Sequence, residues 1–289
     1  MRYMINGHGT ETGRFSSTKD PWGKGMNAQT VPGGMKGINI KDLFIASEGM
    51  TFISADLGQA ESRFVAYDAP DLDLIQMLED PNQDVHKYVA AEIFNKDQSD
   101  VTKQERQLGK KSGHGANYSM KESTFVDSCL LEMDLVLKRA DAKNILESYH
   151  RLFPGIRRWQ QRIRNTVYES RKLITPLGRE RYFYGRPDDD MFRQAYAYKP
   201  QSTIPDITNH MMLYLLDLRS KGLINFNLLL QTHDSILMEA KIDQVKTIAE
   251  ICKDTSQWHP KLEMMGGDLV IPVDVEIGNR WGELKPYGK

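Results

Sequence analysis

Apolar and polar positions follow two rhythms along this chain. Phe52, Ile53 and Ala55 lead to Asp56 in TFISADLGQAESRFVAYDA, an apolar run that predicts a buried strand ending at a carboxylate and turning into a helix near Gln59. A helical period then takes over at 71–79, 84–94, 103–119, 122–131 and 139–152, until Pro154-Gly155 breaks it. A long helix is expected over 156–172. In ITPLGRERYFYG, turn residues sit between β-prone ones, which predicts a short hairpin; a further helix over about 190–219 is expected to be interrupted near Pro200 and Pro205. NLLLQTHDSILMEA has apolar runs flanking a polar tip, the pattern of a β-hairpin with Thr232, His233, Asp234 and Ser235 at its turn. LVIPVDVEIG alternates as a last strand should. Residues 1–49, rich in Gly, Ser, Thr, Pro and Asn, read as irregular or short-strand structure. Strands at both ends with helices between them imply an α+β fold: a sheet assembled from sequence-distant pieces, carrying a mostly helical insertion.

Composition narrows this picture only where charge is uneven. The 289 residues suit one large domain or two interleaved ones, and 38 basic residues nearly cancel 39 acidic ones, so net charge does not point to a nucleic-acid partner. Arg151 to Arg186, however, holds ten Lys or Arg against Glu169 and Glu180, whereas Glu61 to Asp100 holds ten acidic residues against Arg63, Lys87 and Lys96. A solvated helix face and a phosphate-facing surface both account for the basic block. Cys129 and Cys252 lack any CxxC or Cys/His spacing, which argues against a disulfide framework or a zinc site and for a reducing compartment. No apolar stretch approaches the ~20 residues of a membrane helix and the N-terminus lacks a signal-peptide core, so a cytoplasmic protein with no membrane partner is expected.

The candidate chemistry rests on two carboxylates and one helix. Asp56 and Asp234 are each presented at a strand end, where they suit Mg²⁺, an ion that takes one or two protein carboxylates and otherwise keeps water and phosphate ligands. The competing reading is that Asp56 caps a helix and Asp234 serves a turn. Arg106, Lys110, His114 and Tyr118 recur every four residues in RQLGKKSGHGANY. Each step of four advances ~40° beyond a full turn, so the four fall within ~120° on one helix face. Arg and Lys there suit a triphosphate, and the two rings suit a base. An exposed basic helix is the alternative, and Gly109, Gly113 and Gly115 weaken the helical expectation.

These pieces resemble, in order, the motifs of family A DNA polymerases, the DNA polymerase I-like group. TETGRFSS and NAQTVP resemble TGRLSS and NLQNIP; SADLGQAESR resembles motif A, DYSQIELR; RQLGKKSGHGANYSM resembles motif B, RxxxKxxxFxxxYG. ITPLGRERYF resembles TLFGRRRY, PQSTIPDI resembles VQGTAADI, and QTHDSILMEA resembles motif C, QVHDELVLE. The resemblance implies a right-hand polymerase fold, with an antiparallel palm sheet from residues 1–70 and 188–289 and helical fingers over 71–187. It implies a DNA-directed DNA polymerase that extends a primer with deoxynucleotides by two-metal phosphoryl transfer.

Carried over by position, the resemblance makes Asp56 and Asp234 the ligands of two Mg²⁺ ions and Lys110 the proton donor to pyrophosphate. Arg106, Lys110 and His86, the last in this chain's DVH, would bind the triphosphate, with His114, Tyr118 and Gln59 also at the nucleotide. Glu61 would close the space beside the sugar C2′ and exclude ribonucleotides. Arg14, Asn27, Gln29, Arg193, Gln201 and His233 would contact primer or template.

The sequence departs from the family at four places. His114 replaces an aromatic Phe or Tyr, Ser235 replaces the motif C glutamate, and Leu57-Gly58 replaces Tyr-Ser in motif A. The resemblance also starts after the family's thumb, which implies a truncated or split polymerase whose thumb and exonuclease lie on a separate polypeptide. A catalytically impaired nucleic-acid-binding subunit on the same fold is the alternative.

Overall fold

The computed structural model describes residues 3–7, 9–32 and 39–288. Its strands are β1 (Met4–Asn6), β2 (Ser16–Thr18), β3 (Met50–Leu57), β4 (Lys172–Ile174), β5 (Glu180–Tyr182), β6 (Asn227–Gln231), β7 (Ser235–Lys241), β8 (Glu263–Met264), β9 (Gly267–Asp268), β10 (Val273–Gly278) and β11 (Lys285–Pro286). Its α-helices are α1 (Ala60–Asp68), α2 (Leu72–Glu79), α3 (Val85–Phe94), α4 (Lys103–Asn117), α5 (Glu122–Met133), α6 (Arg139–Leu152), α7 (Pro154–Ser170), α8 (Asp189–Ser220) and α9 (Ile242–Lys253). They fall into two compact units, one of residues 1–60, 201–262 and 270–289, the other of 61–200 and 263–269. Among the described residues no helix is long and apolar enough to cross a membrane.

In the first unit a five-stranded antiparallel sheet runs in the order β11-β10-β3-β7-β6. The apolar run that ends at Asp56 is its central strand, which explains why it is nearly continuous in hydrophobic residues. Alternation divides the sheet into two faces. Ile53, Ala55, Leu57, Ile236, Met238, Ala240, Val273 and Val275 are buried on one face, where α9 brings Val245, Ile248, Ala249 and Cys252 against the strands. On the other, Phe52, Leu230 and Leu237 pack with Ala28 beneath Tyr3, Trp281 and Leu284. Farther along that face the side chains turn polar, with Ser54 half-buried and Asp56 exposed. The carboxylate of Glu239 holds the edge of this unit, accepting from Ser47 N–H and Oγ and from Asn227 Nδ2, each at 3.1 Å.

The second unit is mostly helical. Thr102 and Glu105 form a capping box that starts α4. The three glycines that weakened the helical expectation lie inside α4, and at two of them a neighbouring helix takes the space of a side chain. A Cβ at Gly109 would collide with the His86 carbonyl oxygen in α3, and one at Gly113 would stand 2.9 Å from the Tyr149 ring in α6. Asp71 caps α2 and also accepts from Gly155 N–H at 2.7 Å, which fixes the start of α7. That helix begins at Pro154 rather than at 156, since proline at the first helical position leaves no donor unused. Nearly buried Asp68 accepts from Trp159 Nε1 at 2.7 Å and pairs with Lys199 Nζ at 2.6 Å.

One sequence expectation fails here. The interruption foreseen near Pro200 and Pro205 is absent, and α8 runs unbroken for 32 residues. Each proline removes a helical donor, but Tyr196, Tyr198, Ile204, Ile207 and Met211 around them are buried, and that burial offsets the lost bonds.

Candidate active site

The two carboxylates so distant in sequence become neighbours through strand pairing. Asp56, next to last in β3, is the cross-strand partner of Ser235, the first residue of β7, and Leu57 N–H donates to the Asp234 carbonyl at 2.9 Å. Both aspartates are exposed. The Asp234 loop is held from two sides: Thr232 N–H donates to the Ser235 carbonyl at 2.9 Å, and Thr208 Oγ1 in α8 donates to the His233 carbonyl at 3.3 Å. A bulge in β6 between Leu228 and Leu230 sharpens the twist leading into this loop. Asp274 of β10 is the partner of Asp56 on its other side. Ser54, Asp56, Thr232, Ser235, Asp274 and Glu276 line one open groove of ≈ 540 Å³. Among the described residues no three His, Cys, Asp or Glu side chains gather into a metal cage. Two exposed carboxylates with room for water and phosphate oxygens fit Mg²⁺ better than a metal that demands a closed protein shell.

In the second unit a basic cluster is built around the α3–α4 crossing. Asp84 caps α3 by accepting from the N–H groups of His86 and Lys87, and its other carboxylate oxygen takes Arg106 Nε at 2.6 Å. Burial alone would raise the Asp84 carboxyl, but the Arg106 and Lys87 hydrogen bonds and the Arg106 charge outweigh it and hold it below the ordinary range. His86 is pushed down to about 4, first by burial and then by the charges of Arg106 and Lys110, against the pull of Asp84. It is therefore neutral near pH 7. Lys110 and His114 are exposed on α4. Tyr118 is the helix's C-cap rather than part of its last turn; its ring meets His114 edge-on at 5.0 Å, and its hydroxyl donates to Glu61 Oε2 at 2.6 Å.

The remaining sequence candidates are dispersed. Gln59 is exposed with φ 51°, a left-handed conformation at the junction of β3 and α1. Asn27 caps the short turn Ala28–Thr30, and Gln29 Nε2 donates to the Gln231 carbonyl at 2.9 Å, which ties that turn to the strand leading into Asp234. Arg14 is half-buried in the same unit, as is Gln201 at the start of that unit's share of α8. Arg193 belongs to the second unit and is paired with Asp190. Sequence reasoning missed Asp84, Asp274 and Gln231. Asp84 carried a signal, since Asp before a helical run reads as a cap, and so did Asp274, a polar position of an alternating strand. Gln231 is buried with neither side-chain amide atom hydrogen-bonded, which nothing in its sequence context signals.

An antiparallel sheet interrupted along the chain by a mostly helical insertion is the element order the polymerase resemblance implies. The chain matches the profile of DNA polymerase family A over residues 3–283 and belongs to that family. It is 30% identical to the DNA polymerase I of Deinococcus radiodurans, over 95% of this chain and 27% of that protein. It is 27% identical to the DNA polymerase I of Aquifex aeolicus, over 94% of this chain and 44% of that protein. Among solved structures, the POL domain of Pol1 from M. smegmatis, in complex with DNA primer-template and dNTP, matches with a TM-score of 0.81 and 24% identity over 98% of this chain and 48% of that one. The chain thus spans less than half the length of these relatives.

Proposed function

We propose that the chain catalyses template-directed addition of deoxynucleotides to a DNA primer, with the sheet unit as palm and the helical unit as fingers. The pairing of Asp56 with Ser235, which sets Asp234 beside it, is the observation that supports this reading most strongly. Asp56 of motif A and Asp234 of motif C would hold Mg²⁺, with Ser235 standing where motif C has a glutamate. When bound, a pair of Mg²⁺ ions would supply Lewis-acid activation of the primer 3′-hydroxyl and charge neutralisation at the α-phosphate and leaving pyrophosphate.

The chain's own groups do the rest. Arg106 and Lys110 grip the triphosphate, and the Asp84 hydrogen bond fixes the Arg106 guanidinium for that task. Neutral His86 serves as a hydrogen-bond donor there, and Lys110 gives a proton to the departing pyrophosphate. Tyr118 holds the Glu61 carboxylate in place, where it excludes a 2′-hydroxyl. Tyr118 and His114 present ring surfaces to the incoming base and sugar. Arg14, Asn27, Gln29, Gln201, His233, Arg193 and Gln59 contact primer, template or nucleotide in keeping with their motif positions. Primer extension with one deoxynucleotide at a time tests this reading: Mg²⁺-dependent addition of only the base complementary to the template supports it, and addition that ignores the template, or none at high DNA concentration and low salt, rejects it.

A further inference from the structure

The basic block between Arg151 and Arg186 has no part in the reaction above. Its last portion, residues 164–186, holds six Lys or Arg (164, 171, 172, 179, 181, 186) against Glu169 and Glu180. It is built from the end of α7 and the β4–β5 hairpin, whose two faces differ sharply. The inner face packs: Leu173 and Phe183 are buried, and the Arg181 guanidinium lies 4.8 Å from the Phe183 ring centroid and 5.7 Å from that of Tyr198. The outer face carries Tyr182 and, two residues on, Tyr184, which are 51% and 84% exposed. Their rings are near-parallel, with an interplanar angle of 19° and centroids 6.4 Å apart.

The two rings stack on each other yet leave much of their surface to solvent, on a hairpin already anchored by its other face. One cation touches them and two more flank them along the chain. Lys172, the cross-strand partner of Tyr182, holds its ammonium 5.6 Å from that ring. Arg171 donates to the carbonyl of Gly185, the residue after Tyr184, at 2.8 Å, with Met191 Sδ 4.0 Å away, and Arg186 is exposed just beyond. Glu180 is the one carboxylate on this face of the hairpin and is paired with Lys172 at 3.0 Å. The acidic run that follows is engaged elsewhere: Asp188 accepts from Met191 N–H at the start of α8, Asp190 pairs with Arg193, and Asp189 stands 3.8 Å from Arg164.

We propose that the outer face of the β4–β5 hairpin binds single-stranded DNA, with bases stacked on Tyr182 and Tyr184 and backbone phosphates against Lys172, Arg171 and Arg186. Flat rings accept any base, while flanking cations follow the backbone, a combination that gives sequence-tolerant, salt-sensitive binding to unpaired strands. Duplex DNA keeps its bases stacked on one another and gains only the phosphate contacts. The inference goes beyond the polymerase reading and rests on it only for the choice of DNA as the strand.

Fluorescence anisotropy with labelled oligo-dT, using the whole chain without Mg²⁺, nucleotide or primer, separates this surface from the polymerase site. The Tyr182→Ala, Tyr184→Ala double variant should bind about tenfold or more weakly, with an unchanged salt slope. The corresponding double Phe variant should stay within about twofold of wild type, since stacking needs the ring and not the hydroxyl. Blunt duplex binding should not distinguish the proteins. Because both tyrosines are exposed, the variants should melt as wild type does. Wild-type chain that fails to bind oligo-dT, an Ala variant that binds as tightly as wild type, or a Phe variant as weak as the Ala variant would each overturn the proposal, whatever primer extension shows.

Discussion

Asp56 stands directly opposite Ser235 across the β3–β7 ladder, in the register that also sets Leu57 N–H against the Asp234 carbonyl. A carboxylate at position 235 would therefore face Asp56 on the same side of the sheet. Like charges directly opposite cost about 0.2–1 kcal/mol in a sheet, unless a cation lies between them. Ser235→Glu should lower the melting temperature in EDTA and regain it in Mg²⁺, with a larger Mg²⁺ shift than wild type shows. Equal shifts for both proteins in thermal melts would argue against a cation site at this strand end.

The 2.6 Å hydrogen bond from Tyr118 to Glu61 links the end of α4 to a carboxylate near the start of α1. A hydrogen bond to a charged group is worth about 1.5–3 kcal/mol. Tyr118→Phe should loosen Glu61 and raise the ratio of ribonucleotide to deoxynucleotide incorporation roughly tenfold, and Glu61→Ala should raise it at least as far. Single-nucleotide kcat/KM values measure this; an unchanged ratio in Glu61→Ala would remove the gate role.

At Gly109, α4 lies against α3 with the His86 carbonyl occupying the space a Cβ would need. In an open helix, Gly→Ala stabilises by about 1 kcal/mol. Here it should destabilise by about 1–3 kcal/mol, because backbone rather than a flexible side chain must move. Urea denaturation of the Ala variant decides the sign, and the shift of His86 should weaken nucleotide binding as well.

Two histidines of the helical unit tie its stability to pH. His86 and His150 are both pushed down to about 4, each first by burial and then by nearby arginine charge. Their folded values lie below the unfolded value of about 6.5. The stability they contribute is thus fully present above about pH 6.5 and is lost as pH falls through about 4. Melting temperature should decline across that window, and a His86→Gln, His150→Gln variant should decline less. A variant that falls as steeply as wild type would place the acid sensitivity in other groups.

Much of this was legible in the sequence, for reasons that differ by element. Local periodicity and punctuation located α2 through α7: Asp71, Asp84 and Thr102 cap α2, α3 and α4, Pro154 opens α7, and α5 and α6 showed through their helical period alone. The strand ending at Asp56 and the hairpin around Asp234 were visible as apolar runs at polar tips. Their meeting was implied by the family resemblance alone and not by the local pattern, since register is set by long-range pairing that leaves no local trace. The unbroken α8 was hidden because prolines 200 and 205 argue locally against helix while the burial that overrides them is tertiary. The α4 glycines misled in the same way, lowering helix propensity for the sake of close packing against α3 and α6.

Asp56 and Asp234 are the pair on which the proposed chemistry depends. Single-turnover primer extension with Mg²⁺, comparing wild type with Asp56→Asn and Asp234→Asn, tests it most directly when primer-template affinity is measured beside it. Each variant should bind DNA nearly as wild type does and extend it about 10²-fold or more slowly. Extension at near wild-type rate by either variant would contradict that dependence.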